Sequence, residues 1–386
     1  MESHLTEQPL IHWTEEGAAH SARWRSEAGV APPKRVVVAD DAMTADQAYR
    51  VACEGTAILW RGDFQNARQL LQALVRRIDR SGLKGPKNAP KKILPPAQAF
   101  HLHRMAQSQR ARTLGRLLLP FEADHSIPLR RAHDVRTACR EAYGVSEQPY
   151  VASLRELLGL IGAHEWRRKG IEVAALNERV HPHYGVFSPV RGEYVDLVAA
   201  APLPALDRAF DIGTGTGVLA ALLVRRGVQK IIATDADARA LACARDNLKR
   251  LGFAPQVEVV QADLFPSAPL RAPLIVCNPP WLPGRPSSSL EQAIYDPDSR
   301  MLRGFLGGLA PRLTPGGEGW LILSDFAEHL GLRTRETLIG WINAAGLRVL
   351  DRMDAQPRHP KAADATDPLY AARSAEVTSL WRLTTL

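Results

Sequence analysis

Apolar residues along the chain fall into two alternating patterns: short runs rich in branched side chains, and longer stretches with the period of an amphipathic helix. The segment that begins at Lys34 contains, in order, KRVVVAD, TADQAYRVACEG, TAILW and FQNARQLLQALVRRID. We interpret these as a strand, a capped helix, a buried strand and a longer amphipathic helix. Two successive strand-then-helix units indicate a parallel α/β sheet. Residues 1–32 show no sustained period, and we expect a tail or an irregular edge there.

Prolines interrupt this pattern, and an arginine-rich stretch follows them. Four prolines between Gly85 and Ala97 can continue neither a helix nor a strand, so we expect a basic linker or loop. From about residue 97 to 142 the pattern predicts helix with a cationic outer face. Its inward positions would be Phe100, Met105, Leu114, Leu117 and Leu118. We assign residues 33–168 to an N-terminal α/β and basic helical domain.

The part of the chain after Gly170 has a more regular pattern. Alternation over residues 170–189 predicts a β-hairpin, and residues 189–203 predict a helix. Seven strand-like runs follow, most of them separated by helical runs: RAFDIG, KIIATD, QVEVVQAD, PLIVCNPP, EGWLILSD, RVLDRM and EVTSLWRL. A polar loop without a helical pattern separates the last two, so we expect a hairpin to close an otherwise parallel sheet. We assign residues 169–386 to this second α/β domain.

Length and composition fit a globular protein of two or three domains. The 386 residues are 45% hydrophobic and 23% charged, which excludes a collagen, a coiled coil and a wholly disordered chain. No run approaches the roughly 18 to 20 apolar residues of a membrane span, and residues 1–30 lack the apolar core of a secretory signal. We therefore expect a cytoplasmic protein without membrane contact. Four widely spaced cysteines, with no Cys/His ligand spacing, predict free thiols and no metal site.

The net charge of +8 is concentrated in one part of the chain. Residues 84–140 contain twelve lysines and arginines against three acidic residues, a local excess of nine. Arginines on an ordered helical face match phosphate oxygens, so this basic region indicates a contact with nucleic acid. A solvated helical surface would explain the same pattern equally well.

A glycine-rich turn joins the strand RAFDIG to the helix after it. Asp211 begins the motif DIGTGTG, in which Gly213, Gly215 and Gly217 permit a tight turn and close approach of a ligand to the backbone. A second carboxylate, Asp235, ends the next strand, where a doubly wound fold places the acid that binds ribose hydroxyls. NAD and S-adenosylmethionine (SAM) both fit these features. The alternate spacing of the glycines slightly favours SAM, which has no pyrophosphate.

The fourth predicted strand of this domain ends in LIVCNPPW. The motif places four residues at the carboxyl edge of the sheet, where open α/β folds bind ligands: Asn278, Pro279, Pro280 and Trp281. Two prolines after a strand are by themselves only a stop signal. Together with DIGTGTG, 67 residues upstream, they indicate the second half of one site. A planar amine is a poor nucleophile because its lone pair is delocalised, and two hydrogen-bond acceptors would direct that lone pair toward an incoming methyl group.

With both motifs, residues from about 170 to 386 resemble the class I SAM-dependent methyltransferases, in the group whose fourth strand ends in NPP and an aromatic residue. The resemblance implies a Rossmann-like seven-stranded sheet and methyl transfer to the nitrogen of a planar amide or exocyclic amine. It also implies a set of SAM-binding residues. The methionine part would contact Asp211 and the backbone of Gly213, Gly215 and Gly217, the ribose would contact Asp235, and the adenine would contact Asp263 and Leu264 in QADLF.

The same resemblance implies the catalytic positions. Asn278 and the Pro279 carbonyl would accept hydrogen bonds from the target NH2 group. Trp281, which follows Pro280, would face the planar group.

Two narrower resemblances lead to different substrates. GVFS, at residues 185–188, is similar to a segment of the ribosomal RNA guanine-N2 methyltransferases. SPVRGEYVDLV resembles the release-factor glutamine-N5 methyltransferases, although Val190 separates Pro189 from Arg191 here. We expect structured RNA to be the substrate, recognised through residues 84–140. The alternatives are a protein glutamine side chain, or a non-catalytic binding or assembly protein with a vestigial SAM site.

Overall fold

Six strands form the sheet of the N-terminal part of the chain in this computed structural model, which describes residues 9–82, 94–267, 269–286, 289–358 and 364–386. The strands are β1 (Leu10–Glu15), β2 (Ala18–Trp24), β3 (Val36–Ala39), β4 (Ala57–Trp60), β5 (Leu117–Phe121) and β6 (Tyr150–Ser153). Their order across the sheet is β1, β2, β6, β5, β4, β3. Strands β3, β4 and β5 are parallel, which confirms the prediction from the two strand-then-helix units.

The described chain divides into two compact units. The first comprises residues up to 94 together with 101–165, and the second comprises residues 95–100 together with 166–386. The helices that lie wholly or partly in the first unit are α1 (Ala45–Cys53), α2 (Phe64–Gly82), α3 (Pro96–Leu114), α4 (Arg136–Tyr143) and α5 (Leu154–Lys169).

The first two strands correct the expectation of a tail or irregular edge in residues 1–32. Residues 10–24 form a regular antiparallel hairpin at the edge of the sheet, whereas residues 1–8 lie outside the described part. Ile11 and Trp24 are buried in a cluster with Leu59. The strand sequence LIHWTE mixes apolar and polar residues, so packing against the sheet decides its structure.

The stretch from 97 to 142 is also not one helical region, as its pattern predicted. Helix α3 ends at Leu114, and strand β5 lies between α3 and α4. Leu117 and Leu118 are fully buried in β5, whereas Met105, a predicted inward position, is 59% exposed. A run of three leucines fits a buried strand as well as a helix, and pairing with β4 and β6 selects the strand.

The second unit contains a seven-stranded sheet, which confirms the predicted Rossmann-like fold class. After a small hairpin of β7 (Ile171–Val173) and β8 (Glu178–Val180), its strands are β9 (Arg208–Ile212), β10 (Lys230–Asp235), β11 (Val257–Gln261), β12 (Ala272–Cys277), β13 (Leu313–Ser324), β14 (Leu347–Ala355) and β15 (Thr378–Thr385). The order is β11, β10, β9, β12, β13, β15, β14. Strand β15 runs antiparallel to both β13 and β14, so an antiparallel pair closes the sheet as predicted.

Helices cover both faces of this sheet. They are α6 (Glu193–Ala200), α7 (Val218–Arg225), α8 (Ala238–Arg250), α9 (Ser289–Gln292), α10 (Arg300–Leu309), α11 (Phe326–His329), α12 (Arg335–Ala344) and α13 (Tyr370–Ala375). Helix α13 lies between β14 and β15, where we expected a loop without a helix. Successive strand residues enter opposite core clusters, Ala209 with α6 and α7, and Phe210 with α10 and α12. Within the described ranges, no helix has the length and apolar character needed to cross a membrane.

The assignment of β5 predicts unequal effects of two truncations. Leu118→Ala should lower the free energy of unfolding by about 2 to 5 kcal/mol, because it leaves a cavity in the cluster with Ile11 and Trp24. Met105→Ala, which truncates an exposed side chain in the same stretch, should cost about 0.5 kcal/mol or less. Urea unfolding followed by circular dichroism measures both, and similar losses would contradict the strand assignment.

Candidate active site

The glycine-rich turn lies between β9 and α7. Gly213, Gly215 and Gly217 have φ angles of 72°, 55° and 80°, in the left-handed region that favours glycine. The N–H groups of Gly213 and Thr214 both donate to the Thr234 carbonyl, at 2.9 and 2.8 Å. A Cβ on Gly213 would lie 2.6 Å from the Met301 Cε atom. The turn is therefore tied to β10 on one side and closely approached by α10 on the other.

Asp211 is a buried carboxylate at the carboxyl end of β9. Its Oδ2 atom accepts hydrogen bonds from the Thr214 hydroxyl at 2.6 Å and from the Ala220 N–H at 3.1 Å. Its Oδ1 atom is buried and has no hydrogen-bond partner among the residues that the structure describes. Burial raises the pKa of Asp211 to about 6. An unpartnered buried oxygen is costly, and it is typical of a position where a ligand supplies the missing donor.

Asp235 ends β10 on the strand beside Asp211. Its two carboxylate oxygens accept from the N–H groups of Gly215 and Asp237, each at 3.0 Å. Burial raises the pKa of this group as well. The carboxylate therefore orients the glycine-rich turn, and its oxygens retain lone pairs for further donors.

Asp263 and Leu264 follow β11, the next strand along this edge. Asp263 forms an ion pair with Arg300 at the start of α10, and both side chains are largely exposed. Leu264 has a φ angle of 73°, and its carbonyl accepts from the Thr234 hydroxyl at 2.5 Å. Sequence analysis did not identify Arg300 or Thr234 as part of the site, because neither belongs to a recognisable motif. An adenine amino group that bound Asp263 would have to compete with the ion pair.

The NPPW segment follows β12, next to the glycine-rich turn. The Trp281 Nε1–H donates to the Asn278 Oδ1 atom at 2.9 Å, which fixes the orientation of the Asn278 side chain. Trp281 is half-buried and packs against both core clusters of the sheet. Pro279 is buried and Pro280 is half-buried. The indole ring thus positions Asn278, while its contact with a planar substrate group stays a prediction.

Arg191 connects this segment to a buried network that sequence reasoning did not find. Its guanidinium lies over the Trp281 ring, 4.9 Å from the centroid. It donates to Glu193 at 2.7 Å and to Glu376 at 3.0 Å, and both carboxylates are almost fully buried. The Ser324 hydroxyl also donates to Glu376, at 2.6 Å. Arg191 is therefore a positioning residue for Trp281.

A family model described as the methyltransferase small domain matches residues 177–329. This part of the chain is therefore similar to that family, and the match covers less than half of the chain. The result confirms the resemblance based on DIGTGTG and NPPW, both of which lie in the matched range. Of the buried network, only Glu376 lies outside it.

Three curated relatives are similar to part of this chain. The release factor glutamine methyltransferase of Cereibacter sphaeroides is 32% identical over 183 residues, 44% of this chain and 63% of that protein. The tRNA1(Val) (adenine(37)-N6)-methyltransferase of Bacteroides thetaiotaomicron is 31% identical over 141 residues, 35% of this chain and 59% of that protein. The ribosomal RNA small subunit methyltransferase C of Chromohalobacter salexigens is 32% identical over 201 residues, 50% of this chain and 54% of that protein. The chain thus spans less than two thirds of each relative.

The raised pKa of Asp211 predicts a pH-dependent effect of Asp211→Asn. The unfolded chain releases this proton near the ordinary pKa of 3.8, whereas the folded protein keeps it until about pH 6. As pH rises from about 4 to about 6, the free energy of unfolding of the wild type should therefore fall relative to that of the variant, by on the order of 1 to 3 kcal/mol. Above about pH 6 the difference between the two proteins should stay constant. Urea unfolding of both proteins across this range measures the difference. A difference independent of pH would contradict the prediction.

The Arg191 network predicts a large loss of stability for Arg191→Gln. The substitution leaves the buried Glu193 and Glu376 without their cation, so the free energy of unfolding should fall by about 3 to 5 kcal/mol. Arg358→Gln is the matched control, because Arg358 also pairs with a carboxylate, Asp196 at 3.1 Å, but is 77% exposed. That loss should be about 1 kcal/mol or less. Equal losses in urea unfolding would show that burial of the network contributes nothing.

Proposed function

We propose that this chain is a SAM-dependent N-methyltransferase that acts on a planar exocyclic amine of a base in structured RNA. The observation that carries the proposal is the parallel register of β9 and β12, in which Ile212 lies opposite Cys277. The glycine-rich turn and the NPPW segment therefore leave neighbouring strands at one edge of the sheet, about 5 Å apart. A methyl donor held by the turn and an NH2 group held by Asn278 would meet there.

The residues around the glycine-rich turn fit SAM. Asp211 presents a buried oxygen without a donor, and a side chain at Gly215 would enter open space, so the backbone leaves room for a ligand there. By the family resemblance, Asp211 and the glycine backbone would hold the methionine part and Asp235 the ribose. Asp263 and Leu264 would hold the adenine. When bound, SAM supplies an electrophilic methyl group.

The chain's own contribution to the reaction is to orient the acceptor nitrogen. The Asn278 Oδ1 atom already accepts from Trp281, and its second lone pair can accept from the target NH2 group. The Pro279 carbonyl would accept the other hydrogen. Both acceptors interact more strongly as positive charge develops on the nitrogen, so they favour the transition state over the planar ground state. No general base is needed before transfer, because the proton leaves only after the nitrogen has become cationic.

The choice of RNA over protein rests on charge. Two of the relatives above are named as RNA methyltransferases and one as a release factor glutamine methyltransferase, so the family likeness alone does not select a substrate. The basic stretch at residues 84–140 favours a polyanion. A protein glutamine is the second candidate, favoured by the likeness of SPVRGEYVDLV to the release-factor enzymes. A vestigial site is disfavoured because Asp211, Asp235 and Asn278 are all present.

The proposal predicts which part of a cell extract accepts methyl label. Purified protein is incubated with methyl-labelled SAM and an extract of cells that lack its gene, and the product is divided between ribonuclease and protease digestion. We expect ribonuclease to release the label. Label released only by protease would replace RNA with a protein substrate, and the absence of label would contradict the enzyme proposal.

Variants of Asn278 test the catalytic assignment in the same assay. Asn278→Ala should keep SAM affinity within about twofold but lower turnover by roughly 10²-fold or more, because an acceptor for the reacting NH2 group is lost. Asn278→Asp is the matched control, since it keeps an acceptor both for Trp281 and for the substrate, and should lose less activity. A parallel loss of SAM affinity in Asn278→Ala would place the residue in the cofactor site instead.

A further inference from the structure

Three arginines lie at the amino edge of the parallel strands in the N-terminal sheet. Arg35 directly precedes β3 and Arg116 directly precedes β5, on either side of β4. The Arg35 carbonyl accepts from the Ala57 N–H, and the Arg116 carbonyl accepts from the Ile58 N–H, each at 2.8 Å. Arg112 lies one helical turn before Arg116, at the end of α3. We call Arg35, Arg112 and Arg116 the arginine edge.

The arginine edge has no carboxylate partner in the described part of the chain. There, none of the three guanidinium groups lies within ion-pair distance of an acidic side chain. Arg35 donates to the backbone carbonyl of Glu54. Arg35 and Arg112 are exposed and Arg116 is half-buried. Burial, followed by the charges of Arg112 and Arg35, lowers the pKa of Arg116.

Four other described arginines of the basic stretch behave differently. They have carboxylate partners within 3.5 Å: Arg110 with Asp79, Arg130 with Asp41, Arg131 with Asp63, and Arg136 with Asp134. Three of these partners come from outside residues 84–140, so the fold offsets three of the nine excess positive charges. The lysines at 84, 87, 91 and 92 lie outside the described residues.

We infer that the arginine edge binds consecutive phosphates of an RNA backbone. Grouped cations without counter-charges repel one another, and a polyanion removes that repulsion while it accepts hydrogen bonds from the guanidinium groups. Because β4 separates β3 from β5, the backbones that carry Arg35 and Arg116 are about 10 Å apart. That separation suits a run of phosphates better than a single phosphate ion. The inference rests on the proposed function, since it identifies a surface that would hold the RNA substrate.

A salt titration with paired variants tests the inference. The probe is fluorescently labelled bulk transfer RNA, and its affinity is measured by anisotropy without SAM over a series of salt concentrations. Arg112→Gln with Arg116→Gln should weaken binding several-fold and reduce the slope of log affinity against log salt by about 2, one for each lost phosphate contact. Arg110→Gln with Arg136→Gln removes the same charge from ion-paired positions. We expect its slope to match the wild type.

Two outcomes would overturn the inference: equal changes in both double variants, which would indicate net charge alone, or no change in either. Arg35→Gln with Arg112→Gln alters only exposed residues and repeats the test if the half-buried Arg116 is needed for folding. The methylation assay separates this result from the proposed function. RNA labelling with an unchanged salt slope would reject the arginine edge alone, whereas labelling only of protein would reject the proposed substrate whatever the slope.

Discussion

The parallel pairing of β9 with β12 is the interaction on which the candidate active site depends. These two strands lie in the interior of the seven-stranded sheet, and the core covers them on both faces. A slip of one residue would move Phe210 and Ile275 out of the cluster that buries them, so the hydrophobic core specifies the register. The register in turn places the glycine-rich turn beside Asn278. Burial of apolar side chains thus determines the distance between the glycine-rich turn and Asn278, although neither is part of the apolar core.

The site is also where the fold tolerates unfavourable electrostatics. Asp211 keeps a buried oxygen without a donor, and its pKa is raised to about 6. The network of Arg191, Glu193 and Glu376 is buried too, but there most of the charged atoms have partners. Among the described residues, Asp211 Oδ1 and Arg191 Nη2 are the buried atoms of these groups that lack a partner. The Arg191 guanidinium also lies over the Trp281 ring, whose Nε1–H donates to Asn278.

In the N-terminal unit, the charge presented at the surface depends on which arginines form ion pairs as well as on the number of basic residues. Residues 84–140 read as a strongly basic segment, yet Asp41, Asp63 and Asp79 approach its arginines from the loop after β3, the loop after β4 and helix α2. The arginine edge, at the amino edge of β3 and β5, has no such carboxylate partner among the described residues. A polyanion would interact mainly with this local group, because salt screening limits the range of each exposed charge to about 8 to 10 Å at physiological ionic strength.

The sequence by itself determined the seven-stranded sheet and the positions of both motifs. Most strands there are apolar runs separated by helical segments, and loops after parallel strands meet at one edge of the sheet. The β1–β2 hairpin, strand β5, the ion pairs of the basic stretch and the contacts of Arg191 were decided only by the tertiary structure. Each depends on partners far away along the chain, such as Glu376, which lies 185 residues after Arg191. A local pattern carries no information about such a partner, because the free energy that selects the contact arises only when the core brings the two residues together.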